Sequence, residues 1–223
     1  MTATSPAAQD PGTATSPAAA GPVGAGKVTV VPASQASWAD LQAILGPSGC
    51  GGCYCQSFKI RDRDWRTASD ADRRARFRAQ TQCGDPNATA TSGLVGYLGT
   101  EPVGWVAVEP RTAYPRLPWV RTVWSARNED KTDGSVWAVT CFVTRTGYRK
   151  RGITYALAAA TIDFARQRGA RALEAYPMIT RPGEEITWGE LYRGSRQVFA
   201  EAGFAEVSTP SVRRVVMRVD FTG

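Results

Sequence analysis

Histidine is absent from the chain. Without an imidazole there is no Ser-His or Cys-His nucleophile pair, no His-liganded zinc and no His general base. Proton transfer falls instead to carboxylates, Tyr, Cys, Lys, water or the substrate itself. Long apolar runs are missing as well: no stretch approaches the roughly 20 residues that a membrane-spanning helix needs. The first residues lack the basic start and apolar segment of a signal peptide, and the protein reads as cytoplasmic. There are only five cysteines, an odd number that argues against a disulfide framework where no export signal precedes it. Negative charge is also scarce, with 20 Asp and Glu against 27 Lys and Arg and a net +7. Such a surplus attracts anions, whether phosphates, acidic substrates or nucleic acid.

What is present suffices for one mixed domain. The 223 residues are 43% hydrophobic, an ordinary share for a chain that builds one core. Apart from Met1, Gln9, Val23 and a single charged side chain, Asp10, residues 1–26 are all Ala, Thr, Ser, Pro and Gly. Such a segment buries too little apolar surface to offset its ordering entropy, so a disordered tail is expected there and a domain over 27–223.

Val28, Val30 and Val31 suggest a first strand. Ser37 opens a short helix through Leu45, stopped by Gly46-Pro47. A second helix is expected from Ser69 to about Gln82, with Ser69 and Asp72 placed as a capping box. The period then becomes two: Leu94 to Leu98, turn chemistry over Gly99 to Pro102, and a returning strand from Val103 to Val108 predict an antiparallel hairpin. Pro110 to Asp133 reads as irregular. Val136 to Val143 is apolar and β-branched, as a central strand is. A helix is predicted from Ile153 to Arg168, with Ile153, Ala156, Leu157, Ala160, Phe164 and Ala165 on one face and Gly169 as its cap. A strand from Ala172 to Tyr176, a short helix from Ser195 to Ala202 and a last strand through Val215, Met217 and Val219 complete a mixed α/β order.

Between the central strand and its helix stands Arg149-Lys150-Arg151-Gly152-Ile153-Thr154. A helix that opens after a basic, Gly-containing loop offers unpaired amides and a positive dipole end, both suited to a diphosphate. Gly152 lets the backbone approach without a Cβ in the way.

These residues resemble the diphosphate loop of the GNAT superfamily of acyl-CoA N-acyltransferases, Arg/Gln-x-x-Gly-x-Gly/Ala. Thr154 stands where the small last residue is expected. The hairpin with Val103-Gly104-Trp105 is similar to the family's second and third strands. Phe199-Ala200-Glu201-Ala202-Gly203-Phe204 is similar to its Tyr-x-x-x-Gly-Phe segment, and Cys53-Tyr54-Cys55 together with Glu174 to Pro177 resembles a bacterial subgroup.

The resemblance implies a central, mostly antiparallel sheet flanked by helices, with the fourth and fifth strands splayed. It implies acetyl-CoA as acyl donor, an unidentified amine of a small molecule or protein as acceptor, and direct attack in a ternary complex, with no metal. Pantetheine would pair with backbone groups of Phe142, Val143 and Thr144, and the diphosphate with Arg149, Lys150, Arg151, Gly152, Ile153 and Thr154. Phe199 would lie against the cofactor, where the family places its Tyr acid; a phenyl ring donates no proton. Tyr192 is the substitute acid by position, with Ser195 one turn from Phe199, and Glu174 is the base candidate. Removal of the amine proton through water, release of the thiolate without an acid, and a catalytically weak acyl-CoA sensor or scaffold stay open. So does a homodimer.

Other signals have plainer readings. Cys50-x-x-Cys53-x-Cys55 with Cys83 invites zinc, but the second pair lacks its partner, and a Gly/Cys-rich loop against the substrate pocket fits the spacing better. Cys141 reads as a small buried hydrophobe. The run Arg61, Arg63, Arg66, Arg73, Arg74, Arg76 and Arg78 alternates with Asp62, Asp64, Asp70 and Asp72, which predicts an ion-paired helix face and not a nucleic-acid grip. Trp105, Trp119, Trp124, Trp137 and Trp188 are read as core or as lining of an acceptor pocket.

Overall fold

A seven-stranded sheet organises the chain, in the order β1-β2-β3-β4-β5-β7-β6. The computed structural model describes residues 27–46, 52–181, 183–184, 186–187 and 189–221; the expected tail, Cys50 and Trp188 lie outside the described residues. The strands are β1 (Val28–Pro32), β2 (Gly93–Leu98), β3 (Glu101–Pro110), β4 (Val136–Thr144), β5 (Ala172–Ala175), β6 (Ala205–Ser211) and β7 (Arg214–Asp220). The helices are α1 (Trp38–Leu45), α2 (Asp62–Trp65), α3 (Asp70–Thr81), α4 (Arg121–Trp124), α5 (Ile153–Gln167) and α6 (Arg196–Glu201). All neighbouring strands are antiparallel except β4 and β5, which run parallel across the α5 crossover. The fold is the mixed α/β sheet that the sequence led us to expect.

Local chemistry sets the element ends. Ser37 and Ser69 each accept from the amide three residues on, while Asp40 and Asp72 reach back to the cap amides, so both expected capping boxes form. Gly99-Thr100 makes a two-residue turn, and β3 resumes at Glu101, two residues before the predicted start. The segment after β3 is less irregular than its Pro and Arg content suggested. It makes short turns at Arg111–Ala113 and Leu117–Trp119, the latter with Pro at its start, and then α4. Strand β6 gave no sequence signal: it is largely exposed, contains Pro210 and pairs only with β7, as an edge strand does.

Two layers sandwich the sheet. Ile153, Leu157, Ala158, Phe164 and Ala165 of α5 and Val198 and Phe199 of α6 pack on one face. Leu41, Ile44 and Leu45 of α1 and Phe77 of α3 pack on the other, continued by a cluster under Phe58, Tyr114, Leu117 and Trp124. The α5 stripe is rotated from the expected one: Ala158 and Thr161 are buried, and Ala156 and Ala160 only half-buried. The sheet is hollowed beneath the start of this helix. Gly96 of β2 lies opposite Gly104 of β3, and a Cβ on Gly104 would stand 2.6 Å from Ile153 Cγ2 and 3.0 Å from Leu157 Cδ1. The two glycines let the N-terminal turn of α5 sink against the sheet, which fixes where that helix begins. Among the described residues no helix is long and apolar enough to cross a membrane.

Candidate functional site

Strand β4 is longer than its parallel neighbour. Val136 to Val139 pair with Ala172 to Ala175, and there β5 ends. Tyr176 and Pro177 follow, and proline has no amide to continue a ladder. Residues 141–144 of β4 remain paired with β3 but have no β5 partner, so the two strands part at this end. A bulge lies at the same place: Ala107 faces Cys141 while Val108 faces Val139, leaving Thr140 unmatched. It reverses the alternation of the strand. Val139 and Phe142 both face the α5 layer, and Cys141 and Val143 face the α1 layer. Bulges of this kind re-aim side chains and terminate pairing beside functional sites.

The free edge leads into the loop Arg145 to Gly152. The Arg145 amide donates to the Val103 carbonyl at 2.9 Å and the Tyr148 amide to the Arg145 carbonyl at 3.0 Å, which closes a tight turn. Arg145 and Arg151 each place a guanidinium 5.4 Å from the Tyr148 ring centroid, one of them also paired with Glu101. Gly152 caps α5 at φ +74°, a left-handed conformation that most residues resist. Among the described residues no side chain caps this helix. Ile153 and Thr154, whose amides have no preceding helical turn to bond to, line a cavity of about 210 Å³ together with Thr144, Tyr148, Arg149, Lys150, Gly152 and Tyr155. The geometry suits an anion: uncapped amides, the positive end of a 15-residue helix, and basic side chains around the rim.

A second cavity, of about 270 Å³, opens on the other face. Ser57, Phe58, Asp62, Arg116, Trp119, Val120, Tyr192 and Arg193 line it. Tyr192 belongs to the turn Leu191–Arg193 and packs against both clusters of that face, which include Ala138, Cys141 and Val143 of β4. It therefore stands between this cavity and the free strand edge. Its oxygen accepts from Arg193 Nε at 2.8 Å, so the phenolic proton is left to be donated elsewhere. Phe199 is fully buried, edge-on to Phe142 and Phe204, with the main chain at Gly194 against its ring. It presents no surface to a ligand and serves the core.

Glu174 is also fully buried. Arg111, Arg127 and Arg218 all donate to it, and Tyr176 donates to Oε2 at 3.1 Å. Glu129 joins the same network through Arg111, Arg127 and Arg218. A base needs a lone pair turned toward the acceptor, and this carboxylate has both oxygens committed. Its position on β5 made it a base candidate; the structure places it as the anchor of a buried ion cluster that ties the 111–129 segment to β5 and β7. Glu109 of β3, near the bulge, is a second enclosed carboxylate among the described residues. Burial pushes its carboxyl up and Lys59, its ion-pair partner, pulls against that.

Cys55 Sγ lies 3.1 Å from Cys141 Sγ, and Trp105 Nε1 donates to Cys55 at 3.1 Å. The neighbouring Cys141 thiol, with burial, raises the Cys55 pKa well above the ordinary range, so it stays a thiol. Among the described residues no group of three or more Cys, Asp or Glu side chains is placed to hold a metal ion. Sequence reasoning missed Phe58, Arg116 and Arg193. They come from three separate segments with no shared spacing, and Trp119, weighed earlier among five Trp, acquires its place beside them only in the fold.

Residues 57–182, more than half of the chain, match the model of the Acetyltransferase (GNAT) family. No protein of curated function matches the chain in sequence. Among solved structures, YncA of Salmonella typhimurium, described as a putative acetyltransferase with its cofactor acetyl-CoA, is 13% identical, covering 86% of this chain and 93% of its own with a TM-score of 0.47. Ribosomal-protein-alanine N-acetyltransferase from Brucella melitensis is 16% identical over 86% of this chain and 99% of its own, TM-score 0.47. An N-acetyltransferase from Staphylococcus aureus Mu50 is 11% identical over 87% and 98%, TM-score 0.47.

Proposed function

The chain belongs to the GNAT acetyltransferase family, and from that premise we propose that it carries the acetyl group of acetyl-CoA directly to an amine within a ternary complex. The observation that carries the reading is the uncapped first turn of α5 at the end of a strand edge without a β5 partner. The donor's diphosphate rests on the amides of Ile153 and Thr154, with Arg149, Lys150 and Arg151 supplying charge and Gly152 the close approach. Pantetheine runs along Phe142, Val143 and Thr144 and adds hydrogen bonds to their main chain. An amide there holds the thioester oxygen as negative charge develops on it.

The amine enters from the 270 Å³ cavity. Its lone pair forms the N–C bond and the C–S bond breaks. With Glu174 committed to three arginines, the amine proton leaves to water, and Tyr192 returns a proton to the departing thiolate. We place the working domain at 27–223, in the cytoplasm, with 1–26 as a tail. A second reading has one observation in its favour: Phe199 stands where the family keeps its acid, and an acyl-CoA sensor without turnover would tolerate that.

Thiol release from acetyl-CoA with a panel of amines tests the proposal, alongside calorimetry with coenzyme A. Transfer is expected, and Tyr192→Phe is expected to lower kcat about 100-fold with coenzyme A affinity unchanged. An unaltered rate removes Tyr192 from the chemistry. Binding with no turnover on any amine transfers the case to the sensor.

A further inference from the structure

The cavity beside Tyr192 has a composition that selects among amines, and resting on the acetyl-transfer reading above, we propose that its acceptor is a free amino acid with an aromatic or large aliphatic side chain, its carboxylate held by Arg193. Three observations meet there.

Arg193 is positioned and unspent. Its guanidinium lies 4.7 Å from the Phe58 ring centroid and 5.2 Å from that of Tyr192, and Nε donates to the Tyr192 oxygen. No ion pair or hydrogen bond engages its two terminal nitrogens among the described residues. A stacked, planar fork with free ends is the arrangement that binds a carboxylate by two parallel hydrogen bonds. Arg116 differs: it is committed to the Ser57 carbonyl at 2.8 Å and to Asp62 at 2.7 Å, and so serves the wall.

The charge of the cavity points the same way. Asp62 and Arg116 cancel, which leaves Arg193 as the net charge of the lining. Arg214 adds to it from β7. It shares the strand face of Val216, which packs in the same cluster as Tyr192, and its buried Nη1 has no hydrogen-bond partner among the described residues. A simple ammonium entering this field is repelled. An amino acid enters as a neutral zwitterion and answers the guanidinium with its carboxylate. The same positive field favours the neutral, attacking form of the amine, which suits a site whose buried carboxylates are engaged elsewhere.

The third observation is apolar. Trp119 is 80% exposed at the cavity rim. With Phe58 and Val120 it forms a wall that a hydrophobic side chain would cover.

The test uses the full chain with acetyl-CoA and three acceptors of one shape: phenylalanine, phenylalanine amide and phenethylamine. Coenzyme A binding is measured first by calorimetry. If it fails, the donor reading falls. With binding established, phenylalanine is expected to exceed both others in kcat/KM by at least about tenfold, the worth of a charge-assisted hydrogen bond. Arg193→Gln is expected to erase that preference and Arg193→Lys to keep part of it. The ratio between acceptors is the readout, because losing the Arg193 bond to Tyr192 slows all three alike. Trp119→Ala is expected to raise KM for phenylalanine more than for alanine. Equal use of the amide or the amine, a ratio unmoved by Arg193→Gln, or no binding of phenylalanine to the coenzyme A-loaded protein each overturns the proposal.

Discussion

Replacing Gly152 by Asn and by Asp separates conformation from charge at the turn on which the donor site rests. Gly152 sits at φ +74°, and beyond its immediate chain neighbours no heavy atom of the described residues lies within 4 Å of where a Cβ would stand. A side chain is thus resisted by backbone strain and not by a clash. That strain is about 1–2 kcal/mol for an ordinary residue and less for Asn or Asp, which visit the left-handed region most readily. Both variants are expected to fold. They have one shape and differ by one negative charge beside the diphosphate. At about 5 Å and an effective permittivity of about 20, one pair of unit charges is worth about 3 kcal/mol, falling toward about 1 kcal/mol where water screens it. Calorimetry with coenzyme A should then find the Asp variant about 5- to 150-fold weaker than the Asn variant. The gap should shrink as salt is raised. Equal affinities for Asn and Asp, in two folded proteins, would refute the placement of the diphosphate at this turn.

Glu174→Gln is expected to cost about 3–5 kcal/mol in urea denaturation, because it strips the countercharge from Arg111, Arg127 and Arg218. The folded fraction should keep the pH–rate profile of the parent; a displaced acidic limb would restore Glu174 as a base. Gly104→Ala drives a methyl to within 2.6 Å of Ile153, and overpacking of this kind costs about 1–3 kcal/mol by the same assay. Coenzyme A affinity should fall with it, since Ile153 opens the helix that holds the diphosphate. Acid sensitivity follows from Glu129. Burial pushes its carboxyl up, but hydrogen bonds from Arg111 and Arg127 prevail and bring it to about 2. A depressed carboxyl stabilises the fold above its unfolded value of about 4.3 and loses that contribution as pH falls toward 2. Glu129→Gln should therefore flatten the stability-against-pH curve in that window.

How much of this was legible beforehand depended on whether the deciding interactions are local. The capping boxes at Ser37 and Ser69, the hairpin from Leu94 and the loop before Ile153 are written in neighbouring residues, and each forms where the sequence placed it, the returning strand of the hairpin starting two residues early. The roles of distant residues were not. Glu174 lies on an apolar strand, and nothing near it in sequence announces Arg111, Arg127 and Arg218. Gly96 and Gly104 read as ordinary hairpin residues until they face one another beneath α5. The cavity at Arg193 is assembled from segments more than fifty residues apart, around positions 57–62, 116–120 and 192–193. Strand β6 escaped because an exposed edge strand needs no apolar alternation.

The central claim is that main-chain amides at the start of α5 hold the diphosphate. Amide chemical shifts of the ¹⁵N-labelled protein, followed through a coenzyme A titration, test it most directly. Gly152, Ile153 and Thr154 are expected to move most, joined by Val143 and Thr144 on the free edge of β4. Saturable binding that leaves those five signals in place, and moves others instead, would contradict it.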